Sequence, residues 1–227
     1  MIYTSGIKIV SRWILFSLLM LVSLSATYND SVVLPPGSDS SWELIENSEG
    51  VKIYLRWVEL SDKVKIRERK AEIMVHTTLD KTLKAITEAG EIKNWMSGVK
   101  KVMLLHRESP AKWYAYTLYG LPWPFNDREM ITMCTLSYSS GKDKVFVNMR
   151  SSDESYPPAK GVERLTHYKA NWELFEVKPQ LVRMTFIARS DDPPAFPRCI
   201  QDPVIKKVFH KNMVNLKDML DGNRSGY

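Results

Sequence analysis

An α+β fold, a curved antiparallel sheet wrapped around one long C-terminal helix, is what this sequence predicts. Three observations carry that expectation. Short segments of period-two alternation recur from Val51 to Arg189. One amphipathic helical stretch near Thr77 interrupts them, and a long 3.6-period stretch from Asp202 to Gly222 closes the chain. Two strands, a helix, many strands and a final helix give a sheet whose concave face is filled by its last element. At 227 residues and 44% hydrophobic composition the chain is long enough for one domain with a sizeable core.

Residues 1–25 carry the features of an export signal. Lys8 and Arg12 precede the apolar run Trp13 to Leu24, and Ser23, Ser25 and Ala26 offer small residues for cleavage after Ser25. The run is short of the roughly 20 apolar residues of a membrane span, and retention as an N-terminal anchor is the alternative. The expected location is therefore periplasmic or secreted. Residues 26–41, polar and bearing Pro35, Pro36 and Gly37, read as a linker; residues 42–221 form the domain and 222–227 a tail. The formal charge of +6 falls to +4 once Lys8 and Arg12 are set aside. Basic residues are interleaved with acids, as from Lys63 to Lys70, so the dense basic stripe of a nucleic-acid binder is missing. A weakly basic surface suits transient membrane contact. A monomer is expected.

The domain opens at Trp42-Glu-Leu-Ile, turns at Asn47 to Gly50 and continues as a strand from Val51 to Val58. Val64 to Val75 pairs with it. Thr77 is placed as the start of a helix with Asp80 at N3, Leu79, Leu83 and Ile86 on one stripe and Gly90 as its left-handed cap. A short helical turn covers Ile92 to Met96. Strands are then expected at Val99 to Leu105, Trp113 to Tyr119, Arg128 to Tyr138, Lys144 to Arg150, Arg164 to Val177 and Leu181 to Arg189. In the last helix Asp202 reads as N-cap, Pro203 as N1 and Gly222 as the end. Cys134 and Cys199 are expected as two buried free thiols, since sequence position cannot establish disulfide geometry.

The most informative stretch is Trp113 to Glu129, W-Y-A-Y-T-L-Y-G-L-P-W-P-F-N-D-R-E. An aromatic strand stops at Gly120, Pro122 and Pro124, because proline has no N–H to donate, and restarts at Asn126-Asp-Arg-Glu. This layout, with the opening W-E-L-I-E-N-S-E-G-V-K-I-Y-L-R, resembles the START family, the lipid-transfer domains related to the steroidogenic acute regulatory protein. Arg128-Glu129 stands where that family's Arg-Asp is usual. The resemblance spans Trp42 to about Leu220 and implies the helix-grip fold, shared with Bet v 1-like proteins, around an internal hydrophobic cavity.

Chemistry is harder to find. His76, His106, His167 and His210 lie far apart without ligand spacing, and no H-E-x-x-H, C-x-x-C, G-x-S-x-G or P-loop occurs. No catalytic group, metal or cofactor is expected. Eleven methionines and seven tryptophans suit a cavity for adaptable ligands as well as they suit an ordinary core. Candidate cavity residues are Tyr114, Tyr116, Leu118, Met130, Phe146, Asn148, Arg150, Tyr168, Trp172, Met184, Phe186, Phe209 and Met213. The resemblance implies a polar group that meets the ligand's head, a role carried over to Arg150 or Arg128 with Glu129 as partner; any one of these side chains also serves as plain core or as a surface arginine. Pro122, Trp123 and Phe196, in two proline-rich segments, are candidate gates. The reading is a binder of a hydrophobic small molecule, with lipid as the class the resemblance implies, that carries or senses it without catalysis. Its rivals are a cyclase- or hydrolase-like enzyme on the same fold and an interaction module whose cavity is filled by its own side chains.

Overall fold

Alternation along the strands is what builds this molecule. The computed structural model describes residues 41–60, 64–121, 125–192 and 196–223. Within them lie ten strands: β1 (Glu43–Ser48), β2 (Val51–Glu59), β3 (Lys65–Val75), β4 (Val99–Ser109), β5 (Lys112–Tyr119), β6 (Arg128–Tyr138), β7 (Lys144–Ser151), β8 (Glu163–Arg164), β9 (Tyr168–Lys178) and β10 (Leu181–Ser190). Three helices accompany them, α1 (Leu79–Thr87), α2 (Ala89–Trp95) and α3 (Arg198–Asp221). The expected export segment and linker up to residue 40, Pro122 and Trp123 of the expected gate, and tail residues 224–227 lie outside the described residues.

The strands form one sheet in the order β1-β2-β3-β10-β9-β7-β6-β5-β4, antiparallel throughout, with the short β8 alongside β6 in parallel. Glu49 and Gly50 make the two-residue β1–β2 connection, both at positive φ (52° and 72°), which matches the twist of a tight hairpin. The last strand, β10, closes the sheet by pairing with β3 from Val182↔Val75 to Ala188↔Arg69. Inward positions of β2, β3, β7, β9 and β10 (Ile53, Ile73, Val147, Leu174 and Met184 among them) are each at most 2% exposed, and Met213 and Leu216 of α3 pack on the same cluster. Asn212 and Asn215 fasten α3 to the end of α2 by bonds to the Ser97 amide, the Trp95 carbonyl and the Ser97 hydroxyl.

Helix boundaries differ from the sequence expectation in three places. Thr78, not Thr77, caps α1, its Oγ1 accepting from the Lys81 amide, while Thr77 is buried. Gly90 lies inside α2 and has no positive φ; Glu88 separates the two helices in an extended conformation. The closing helix begins at Arg198, a turn before Asp202, with the Pro197 carbonyl accepting from Ile200 and Gln201 amides. Pro203 therefore sits within the helix, where it forfeits one backbone bond. Asp202 is not free to cap because Arg67 and Arg69 hold its carboxylate. The expected strand Arg164 to Val177 is also divided: Arg164 belongs to β8, the Leu165 amide donates to the Glu129 carbonyl, and β9 starts at Tyr168. Cys134 is buried as expected, but Cys199 is exposed on the first turn of α3; both thiols are free.

Gly222 ends α3 as the sequence indicates, at φ 77°, with its own amide and that of Asn223 on the Asp218 carbonyl. An added Cβ there would meet nothing within 4 Å. Gly222→Ala is therefore expected to cost about 1 kcal/mol through backbone conformation alone, read as a shift in urea midpoint at unchanged m-value.

Candidate ligand cavity

Two halves of the concave face differ. On the half beneath α3, large side chains close the interior. Trp172 of β9 stacks on Phe186 of β10 (4.3 Å between centroids), Phe186 faces Phe209 of α3 (5.7 Å), and Trp95 of α2 meets Trp172 edge-on (6.4 Å). On the half beneath α1 and α2 the inward residues are small, and a cavity of about 210 Å³ remains. Ala115 and Thr117 of β5, Thr132 and Cys134 of β6, and Val147 and Met149 of β7 form its floor. Ile86, Thr87, Glu88, Ala89 and Ile92 form the roof; Val102, Met103 and Leu104 close the β4 side. Trp113 ends it, with the Arg107 guanidinium over its ring at 5.3 Å. The roof is held in place where the buried Trp95 Nε1 donates to the Ala85 carbonyl, tying α2 to α1. Leu104, Glu88 and Arg107 are exposed, so the cavity opens between the α1–α2 junction and β4.

The wall is chemically quiet. Burial pushes the Cys134 thiol up to about 11, which keeps it protonated; its Sγ lies 3.8 Å from Thr132 Oγ1. The charged members, Glu88 and Arg107, stand at the rim. Among the described residues no group of three or more His, Cys, Asp or Glu is placed to hold a metal ion. Farther along the same inner face Tyr119 and Tyr168 are enclosed by protein, and burial pushes Tyr119 up to about 12 and Tyr168 higher still. Both nonetheless keep part of their surface uncovered.

None of the expected cavity residues lines this space. Met130, Tyr168, Trp172, Met184 and Phe186 do point inward, and Phe209 and Met213 of α3 pack against that inner layer. The other six are a correction. Tyr114, Tyr116 and Leu118 alternate with the cavity-lining Trp113, Ala115 and Thr117, and Phe146, Asn148 and Arg150 alternate with Val147 and Met149. All six lie on the outer face. Tyr114 there stacks on His106 and donates to Glu108, Asn148 bonds Asn171, and Arg150 reaches Met133 Sδ at 3.6 Å. Tyr116 is buried because the chain between β7 and β9 folds across it, Tyr156 lying against its ring at 4.5 Å. Glu129 does not pair with Arg150. Its carboxylate, fully buried on the outer face, takes the Tyr116 hydroxyl, the Ala159 amide and Arg164 Nε. Arg128 pairs with Glu163 at 3.3 Å. Of the expected gate, Phe196 meets Phe125 at 4.8 Å between ring centroids, so the two proline-rich segments touch.

No family model matches the chain. An uncharacterized protein of Pseudomonas aeruginosa is 26% identical over 137 residues, 59% of this chain, and the chain spans 63% of that protein's length. Among solved structures, a STAR-related lipid transfer protein of Xanthomonas axonopodis superposes at a TM-score of 0.69 with 23% identity, over 80% of this chain and 99% of that one. Human StAR-related lipid transfer protein 5 superposes at 0.70 with 13% identity, over 94% and 96%. The fold is the START-type helix-grip fold, a ten-strand sheet around a long C-terminal helix.

Proposed function

We propose that this START-like domain binds a hydrophobic small molecule, a lipid, under α1 and α2 and carries or senses it without altering it. The cavity floor carries the reading: Ala115, Thr117, Thr132, Cys134, Val147 and Met149 leave room where neighbouring inward positions hold tryptophan and phenylalanine. Apolar burial supplies the affinity, at roughly 25 cal/mol per Å² of ligand surface removed from water. At about 210 Å³ the space is smaller than the roughly 300–1,000 Å³ of drug-sized sites. A chain-like ligand therefore extends beyond it, toward the interior flanked by Tyr119 and Tyr168. Parting of the Phe125–Phe196 contact gives that end its access. The two structural neighbours named as lipid transfer proteins support the class of ligand. Export through residues 1–25 belongs to the same reading and places the binding event outside the cytoplasm.

An enzyme on this fold needs a titratable pair facing the ligand. The pair that the sequence offered, Arg150 with Glu129, is apart on the outer face, and the thiol on the floor stays protonated. Native mass spectrometry of protein purified from its own host, followed by organic extraction, tests the proposal. A hydrophobic molecule held at up to one per chain is the expected result. A clean apo mass together with no uptake from a lipid panel would overturn it in favour of the interaction module.

A further inference from the structure

Three guanidinium groups meet at the first turn of α3, and the Asp202 carboxylate lies against two of them. Arg67 and Arg69 occupy inward positions of β3, and both engage Asp202, Arg69 Nη2 lying 2.8 Å from Oδ1. All three side chains are less than one-fifth exposed, at 19%, 14% and 16%. Arg198 and Arg67 both lie over the Trp57 ring, at 5.2 and 4.6 Å from its centroid. Burial, together with the charges of Arg67 and Arg198, draws the Arg69 pKa down to about 10, far below a guanidinium's ordinary value. Excess buried charge of one sign is costly unless a counter-charge joins it.

The surrounding groups favour an anion. Pro197 caps α3 without a side-chain bond, and no acid stands in the first turn, so the positive end of a 24-residue helix lacks the usual negative complement there. Arg69 Nε is buried without a hydrogen-bond partner among the described residues. The cluster is also continuous with the cavity. Strand register sets Arg69, Ala188, Ala170, Met149, Cys134 and Trp113 in one row across the inner face, and the last three line the cavity. Only two alanines stand between Arg69 and Met149 in that row, over three strand spacings, about 14 Å.

We infer that the ligand is an anionic amphiphile, its carboxylate or phosphate head held by Arg69 and Arg198 at the start of α3 and its chain running over Ala188 and Ala170 into the cavity under α1 and α2. This rests on the hydrophobic-ligand reading above. Titration of the whole protein with decanoate, decyl phosphate and decanol, followed by native mass spectrometry and tryptophan fluorescence, tests it. At least one of the acids is expected to bind about tenfold or more tighter than decanol, as charge-assisted bonds give. The tighter acid distinguishes a fatty-acid source from a phospholipid-type one. Arg69→Met and Arg198→Met should each remove most of that preference and leave decanol binding unchanged; Asp202→Asn, which removes a competing carboxylate, should increase it. Equal binding of all three ligands, or a preference that survives both arginine substitutions, overturns the headgroup site while leaving the cavity reading intact. Failure of all three to bind overturns both.

Discussion

Glu129→Ala is expected to destabilise the protein by about 3–5 kcal/mol, the range for removing one partner of a buried ion pair. The carboxylate is fully buried at the start of β6. Oε1 accepts from Arg164 Nε at 2.9 Å, with Nη2 at 2.8 Å, and Oε2 accepts from the Tyr116 hydroxyl at 2.8 Å and the Ala159 amide at 3.1 Å. Alanine would leave a guanidinium, a phenol and a backbone N–H without their acceptor, each at a desolvation penalty. Those same bonds hold the chain between β7 and β9 over the outer face, so its cover of Tyr116 should loosen as well. For a chain of this length the loss corresponds to a fall in Tm of roughly 6–20 °C. Arg164→Met in the same background should recover part of the loss, because it removes the stranded charge. Chemical denaturation of the four proteins measures the coupling, and a single-mutant loss below about 1 kcal/mol would count against the network.

The pH dependence has a definite sign. Burial on its own would raise the Glu129 pKa, but hydrogen bonds from Tyr116, the Ala159 amide and Arg164 outweigh it and hold the group below its ordinary 4.5. The folded state thus prefers the charged form. Its contribution is complete above about pH 4.5 and is lost as pH falls through the lowered folded value. Asp192 and Asp221 act in the same direction: burial opposes them, while His167 and Ser190, or Lys217 and the His76 amide, overcome it. Stability should therefore drop on the acid side, and Glu129→Gln should flatten that slope while lowering the neutral plateau.

The order of elements was legible because each long segment keeps one period. The aromatic strand β5 with its proline stop, the inward faces of β9 and β10, and the Gly222 terminus all follow from local chemistry. What failed was the choice of face. In β5 both alternating sets are buried, Tyr114 and Tyr116 on one side and Trp113 and Thr117 on the other, so alternation separates the faces without saying which is inside. Tyr116 of the outer set is covered by Tyr156, in the chain between β7 and β9, which carries no period that would announce a covering layer, and Tyr114 by His106 of β4. Large aromatics looked like a lining, yet a cavity exists where side chains are small: Ala115, Thr132 and Cys134. Asp202-Pro203 has the form of a helix start, and only the arginines of β3, distant in sequence, divert that carboxylate. A single acid at the head of an apolar strand, Glu129, was a visible signal of a buried network, although its partner Arg164 was not.

Ala115→Trp is expected to abolish most ligand uptake while the protein remains folded. Ala115 faces the cavity between Trp113 and Thr117, and its register partner Thr132 lines the same floor. An indole built there projects into about 210 Å³ of space that a ligand chain would otherwise occupy. Filling a void with apolar atoms changes stability by about 1–2 kcal/mol in either direction, depending on how well the ring fits. Loss of the buried part of the ligand is the larger effect: each 1.4 kcal/mol of forfeited burial is tenfold in affinity, and about 100 Å² of lost apolar contact is worth roughly 2.5 kcal/mol, close to a hundredfold. The matched control is Tyr114→Phe, one position away and on the opposite face, which removes only the hydroxyl bonded to Glu108 and should leave uptake unchanged. Uptake of decanol and decanoate by the two variants, measured by native mass spectrometry beside their Tm values, separates the faces directly. Uptake weakened in Tyr114→Phe but unchanged in Ala115→Trp would move the ligand to the outer face. Equal uptake in all three proteins would place it beneath α3, where Trp172, Phe186 and Phe209 would then have to unstack to admit it.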